Sequence, residues 1–167
     1  MNLIIHDLNQ AEWNLLDITL GEDTKVIDST SRIYYCKGCF GCWLKTPGRC
    51  VVEDDCQKIG ELLSETETLT LISRCTFGGY SSFVKKVLER TISYLLPFLE
   101  VVDKKMRHEG RYKNHIHIKS VFYGEDITET EKETARELVY ANARNYGAET
   151  VELCFVESIN EIREVLV

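Results

Sequence analysis

The chain has 167 residues, 44% apolar and 28% charged, which excludes a disordered protein and suits one domain spanning residues 1–167. Its formal charge of −7, with no stripe of Lys and Arg to displace phosphate counterions, argues against nucleic acid as a partner. No apolar run is long enough to cross a bilayer and MNLIIHDLNQ lacks a signal pattern, so the expected location is cytoplasmic, with no membrane partner.

Residues 3–5 read as a short buried strand. Trp13, Leu16 and Leu20 then fall at helical spacing over residues 11–20, with Gly21 as the stop. TKVID at 24–28 is a second short strand, and CKGCFGCWLKTPGRC at 36–50 holds four of the seven cysteines. In a reducing compartment an odd number of cysteines is not a disulfide framework. Asp54 or Asp55 caps a helix whose inward stripe is Ile59, Leu62 and Leu63.

TLTLIS at 68–73 is the clearest central strand and runs into RCTFGGYSS. Phe83, Val84, Val87, Leu88, Ile92, Leu95 and Leu96 keep an amphipathic helical rhythm until Pro97. HIHIKSVFYG at 115–124 is the next strand. TETE at 128–131 is a capping box that opens a helix stopped by Gly147, and its charge-rich residues 129–137 read as a solvated face. TVELCFV forms a fifth strand and SINEIREVLV a final short helix. Strands alternating with helices in this order predict an α/β doubly wound sandwich, three layers deep, with a five-stranded parallel sheet of order 2-1-3-4-5. Its crevice at the carboxyl ends of strands 1 and 3 is to be lined by HDLNQ, RCTFGGY and FYGEDIT. The cysteine stretch, following strand 2, is expected to reach the same rim.

Three segments, CKGCFGCWLKTPGRCVVEDD, ISRCTFGGYSSFVKKVLERT and FYGEDIT, together resemble the flavodoxin-like NAD(P)H-dependent FMN reductases and the related iron–sulfur flavoproteins. The resemblance runs from about Tyr35 onward and includes Lys85 or Lys86 and the Glu89-Arg90 pair in the helix after the middle loop. It implies an oxidoreductase that holds FMN noncovalently and takes hydride or electrons from NAD(P)H. These pass to a small-molecule acceptor, and the protein works as a homodimer or homotetramer with CFGCW as a contact surface. The flavin supplies the chemistry and the protein the positioning.

On that resemblance, flavin contacts fall to Arg74, Cys75, Thr76, Phe77, Gly78, Gly79 and Tyr80, the glycines letting backbone approach a planar ring and Phe77 and Tyr80 walling it. Tyr123, Gly124 and Glu125 would cover the same ring. The same loop also suits a plain strand-to-helix turn with Ser81 as N-cap. The amino-terminal loop departs from the family. Where a Ser-, Gly- and Thr-rich loop normally cradles the phosphate, this chain has His6, Asp7, Leu8, Asn9 and Gln10. Arg74 or a partner subunit is then the candidate to neutralise the phosphate.

The cysteines Cys36, Cys39, Cys42 and Cys50 match the CxxCxxCx7C pattern of iron–sulfur flavoproteins, and Gly38 and Gly41 let the chain double back on itself. A 4Fe–4S cluster, zinc, and a tightly packed loop or subunit contact all remain open readings. Cys56, Cys75 and Cys154 read as single buried thiols, Cys75 being the one placed to react. His6 and Asp7 are either a proton-handling pair or the polar end of a buried strand, and His115 and His117 lie on one face of an edge or solvated strand. Two other functions stay in view: a noncatalytic module that has lost FMN along with its phosphate loop, and an iron–sulfur electron carrier.

Overall fold

Alternating side chains build two apolar layers on one sheet in the computed structural model, which describes residues 1–166. In β1 (Asn2–His6), Leu3 and Ile5 point to one face and Ile4 to the other, as the two-residue strand period requires. β1 pairs in parallel with β2 (Thr24–Ile27) and with β3 (Thr68–Arg74). β3 pairs with β6 (His117–Tyr123), and β6 with β7 (Thr150–Val156), all in parallel. The spatial order is β2-β1-β3-β6-β7, the 2-1-3-4-5 order expected from the alternation of strands and helices.

The larger core joins Leu3, Ile5, Leu69, Leu71, Ile118 and Phe122 to three helices, α3 (Ile59–Ser64), α4 (Ser82–Arg90) and α5 (Glu129–Tyr146). The smaller joins Ile4, Ile72 and Val121 to α1 (Gln10–Leu15) and α6 (Ile159–Leu166). Among the described residues no helix is long and apolar enough to cross a membrane.

Four elements differ from the sequence expectation, one of them α3, which starts after Lys58 with no side-chain cap rather than from an Asp54 or Asp55 cap. The first helix ends at Leu15, not near residue 20, because Asp17 takes a left-handed conformation (φ 44°) and turns the chain. A groove of about 680 Å³ therefore stays open over Thr68, Thr70, His117 and Lys119, strand positions that carry polar side chains. Residues 36–50 contain one helical turn, α2 (Gly41–Leu44).

The long helix expected to reach Leu96 stops at Arg90, passes through a 3-10 turn (Thr91–Tyr94) and opens into an antiparallel hairpin of β4 (Leu95–Val102) and β5 (Lys105–Gly110). Asp103 and Lys104, both at positive φ (51° and 63°), make its two-residue connection, the conformation that suits the strand twist of a hairpin. Pro97 costs no ladder bond in a two-stranded edge. Pro97 therefore does not end the helix as expected from the sequence: α4 has already stopped at Arg90, and Pro97 lies inside β4.

Candidate functional site

The carboxyl ends of β1, β3 and β6 converge on Asp7. Its carboxylate accepts the Arg74 amide N–H at 3.0 and 3.3 Å and the Tyr123 hydroxyl at 3.1 Å, tying three strand ends together. Burial and the Asp7 charge push the Tyr123 phenol well above its ordinary value, so it stays protonated and donates. His6, one residue earlier, is 1% exposed and lies flat against Trp13, ring centroids 4.1 Å apart and 6° from parallel. Neither ring nitrogen has a hydrogen-bond partner. Burial pulls its pKa below 6.5 against the opposing pull of Asp28 and Asp7. The imidazole is thus a neutral core group, not a proton carrier at the crevice.

The start of α1 is closed by its own side chains. Asn9 Oδ1 accepts the Glu12 amide at 3.0 Å, and a Glu12 carboxylate oxygen accepts the Asn9 amide at 2.8 Å. This capping box satisfies two of the donors that a helix start otherwise offers to an anion, and it puts the Glu12 carboxylate at the start of α1.

The β3–α4 loop is a tight turn. Thr76 and Gly79 exchange N–H···O bonds at 2.9 Å in both directions, with Phe77 (φ 51°) and Gly78 (φ 75°) left-handed between them. A Cβ on Gly78 would lie 2.6 Å from Thr134 Cβ and 2.8 Å from the Glu131 carbonyl oxygen, so the close approach made here is to α5. Phe77 stands 89% exposed at the tip. Tyr80 turns inward, stacks on Phe122 with centroids 5.0 Å apart, and pairs its hydroxyl with Ser120 Oγ at 3.2 Å; burial pushes its phenol up to about 12. Ser81 caps α4 as expected, accepting the Val84 amide. Burial raises the Cys75 thiol above its ordinary value, which keeps it protonated rather than a reactive thiolate.

Beside these strand ends lies an open crevice of about 590 Å³. Of the residues singled out in the sequence, Arg74, Cys75, Tyr123, Gly124 and Glu125 line it, whereas Thr76, Phe77, Gly78, Gly79 and Tyr80 do not. Its other charged residues are Glu12 from α1, Asp126 from the β6–α5 loop, Glu131 from α5 and Glu157 after β7. Five carboxylates therefore face one guanidinium. Asp126 belongs to the FYGEDIT loop that the sequence pointed to; sequence reading missed Glu12, Glu131 and Glu157 because they come from segments far apart in the chain, Glu131 being visible only as a cap residue. It does act as that cap, accepting the Thr128 amide at 3.0 Å and hydroxyl at 2.8 Å.

None of residues 36–50 lines the crevice, so the expectation that the cysteine stretch reaches the same rim is corrected. The stretch is held at the carboxyl end of α4, against Arg90 and the turn that follows it. Arg90, 1% exposed, forms a two-pronged pair with Asp54, whose carboxylate also accepts the Tyr34 amide at 2.8 Å and the Cys56 amide at 3.0 Å. Arg90 donates as well to the Tyr34 carbonyl at 2.8 Å. The Trp43 indole N–H donates to the carbonyls of Ile92 and Leu95 at 3.1 and 3.0 Å.

Cys36, Cys39, Cys42 and Cys50 do line one small cavity, about 30 Å³, together with Val52, Arg90 and Ile92. That is room for a water or two. Cys39 is exposed while Cys42 is buried, and burial raises the Cys42 thiol. Among the described residues no three His, Cys, Asp or Glu side chains are arranged to hold a metal ion. The four thiols share one small, packed pocket. His117 pairs Nδ1 with Thr150 Oγ1 at 2.7 Å, and His115 is exposed. Cys56 is buried and Cys154 half-buried.

Five parallel strands in this order, with helices on both faces, define a flavodoxin-like α/β protein, and its crevice opens at the carboxyl ends of β3, β6 and β7. No family model and no curated protein matches the sequence. Solved structures do share the fold. The azoreductase AzrA aligns at 10% identity with a TM-score of 0.55, over 97% of this chain and 89% of its own. General stress protein 14 of Treponema denticola, solved in complex with FMN, aligns at 11% identity with a TM-score of 0.54, over 99% and 90%. An azoreductase from Bacillus anthracis aligns at 11% with a TM-score of 0.55, over 98% and 90%. At such identities the likeness is one of fold.

Proposed function

We propose that this chain is a flavin-dependent oxidoreductase, taking hydride or electrons from NAD(P)H and passing them to a small acceptor. One observation carries the reading. The crevice of about 590 Å³ lies at the carboxyl ends of β3, β6 and β7, beside α1, the end of the sheet where open α/β proteins bind ligands, and is within the size range of small-ligand pockets. Support comes from the likeness of nearly the whole chain to azoreductases and to an FMN-complexed protein. An isoalloxazine suits this space, with Tyr123, Gly124 and Cys75 against it. The phosphate of FMN does not suit the chain: the Asn9–Glu12 box and Asp7 occupy the positions that a phosphate cradle needs. Titrating flavin into the purified protein tests the reading. Quenched flavin fluorescence and nicotinamide oxidation are expected; a folded protein that binds no flavin refutes it.

A second reading, a noncatalytic module derived from the same fold, is favoured by that closed cradle and by the self-paired Thr76–Gly79 turn. The flavin titration separates the two.

The protein is further proposed to be a homo-oligomer in the cytoplasm, where its seven free cysteines stay reduced. Leu99 pairs with His108 and Val101 with Met106 across the hairpin, so these four share a face. His108 packs on Trp43, which stacks on Phe40. The result is a continuous apolar surface, with Leu99 55%, Val101 69% and Met106 65% exposed, on a two-stranded ribbon that is marginal alone. A second copy of the ribbon supplies the missing cover symmetrically.

A further inference from the structure

We infer that the crevice selects a flavin without phosphate over FMN; this rests on the proposal that it takes a flavin at all. Three features oppose a dianion there, Glu12 taking part in two of them. Two of the first-turn donors of α1, the Asn9 and Glu12 amides, are spent on its own capping box, and the Glu12 carboxylate that closes it stands at the helix start, where it repels an anion. Asp7 is fixed at the junction of the strand ends by the Arg74 amide and the Tyr123 hydroxyl, and cannot swing away without breaking both bonds. The crevice walls carry Glu12, Glu125, Asp126, Glu131 and Glu157 against the single guanidinium of Arg74.

A phosphate dianion entering this space meets like charge from every wall except one. The isoalloxazine and its polyol chain are neutral and meet none. Carboxylates also accept hydrogen bonds from alcohols, so the same groups that repel a phosphate suit the hydroxyls of a ribityl chain. The site thus fits a neutral, hydroxylated flavin.

Equilibrium fluorescence quenching on the full chain with riboflavin and with FMN, at low and at high salt, tests this. Riboflavin is expected to bind at least about tenfold more tightly at low salt, about 1.4 kcal/mol. FMN affinity should rise with salt as the repulsion is screened, while riboflavin affinity stays level. Asp126→Asn combined with Glu157→Gln, at exposed positions, should narrow the ratio. A ratio below tenfold, or any preference for FMN, overturns the inference and leaves the flavin proposal standing. Binding of neither flavin overturns both.

Discussion

Removing the Asp54 carboxylate should unfasten the whole segment between β2 and α3. Its partner Arg90 sits on α4, and both side chains are fully buried. Burial alone would raise the Asp54 carboxyl, yet the hydrogen bonds from Arg90 and the Tyr34 amide outweigh it and hold the group below its ordinary value. Asp54→Ala leaves the guanidinium with carbonyl partners only, at Tyr34 and Val52. It also strands the amides of Tyr34 and Cys56. Breaking a buried pair from one side costs about 3–5 kcal/mol, a large part of the roughly 5–15 kcal/mol that holds a domain together. Urea denaturation followed by tryptophan fluorescence measures the loss. Buried Cys42 and Cys56 should become open to a thiol reagent at the same time. Replacing both partners, Asp54→Leu with Arg90→Met, should recover at least about 2 kcal/mol, since no uncompensated charge remains. A single variant costing under about 1 kcal/mol, or a double variant as unstable as the single, would refute the assignment of this pair as the fastener.

His6 sets a pH dependence. Its folded pKa lies below the ordinary 6.5, so its contribution is full above that value and falls away as the pH drops toward the folded pKa; His6→Phe should gain stability relative to wild type between about pH 7 and about pH 5, read as urea midpoints, and parallel curves would contradict this. Gly78→Ala should cost about 1–3 kcal/mol, because the methyl group meets Thr134 and the positive φ is strained for any side chain; an unchanged thermal midpoint would show that α5 does not pack there. Val101→Asp should turn an oligomer into a monomer in light scattering. Wild type that is already monomeric would remove the hairpin interface.

Much of the fold was legible because its signals are local. The Thr128–Glu131 capping box and Gly147 mark the ends of α5 from a few adjacent residues, and the apolar run 68–73 is a central strand from its own composition. The hairpin hid because Leu95 and Leu96 continue the helical spacing of α4 while also fitting a strand, so period alone could not choose. The early end of α1 hid for a similar reason: Leu20 fits the spacing, but Asp17 turns the chain first.

The order of the five parallel strands, and with it the end of the sheet that carries the crevice, was determined by the sequence alone, since periodicity and caps act within a few residues. The character of the crevice was decided only in three dimensions. Glu12, Glu125, Glu131 and Glu157 are scattered over most of the chain and gather only when strand ends and helix starts meet. Tyr80 and Gly78 go to packing against Phe122 and α5, and the cysteines to a pocket beyond α4. Charge and packing act through space, and which side chains become neighbours is settled by the closing of the sheet and its helices, not by their spacing along the chain.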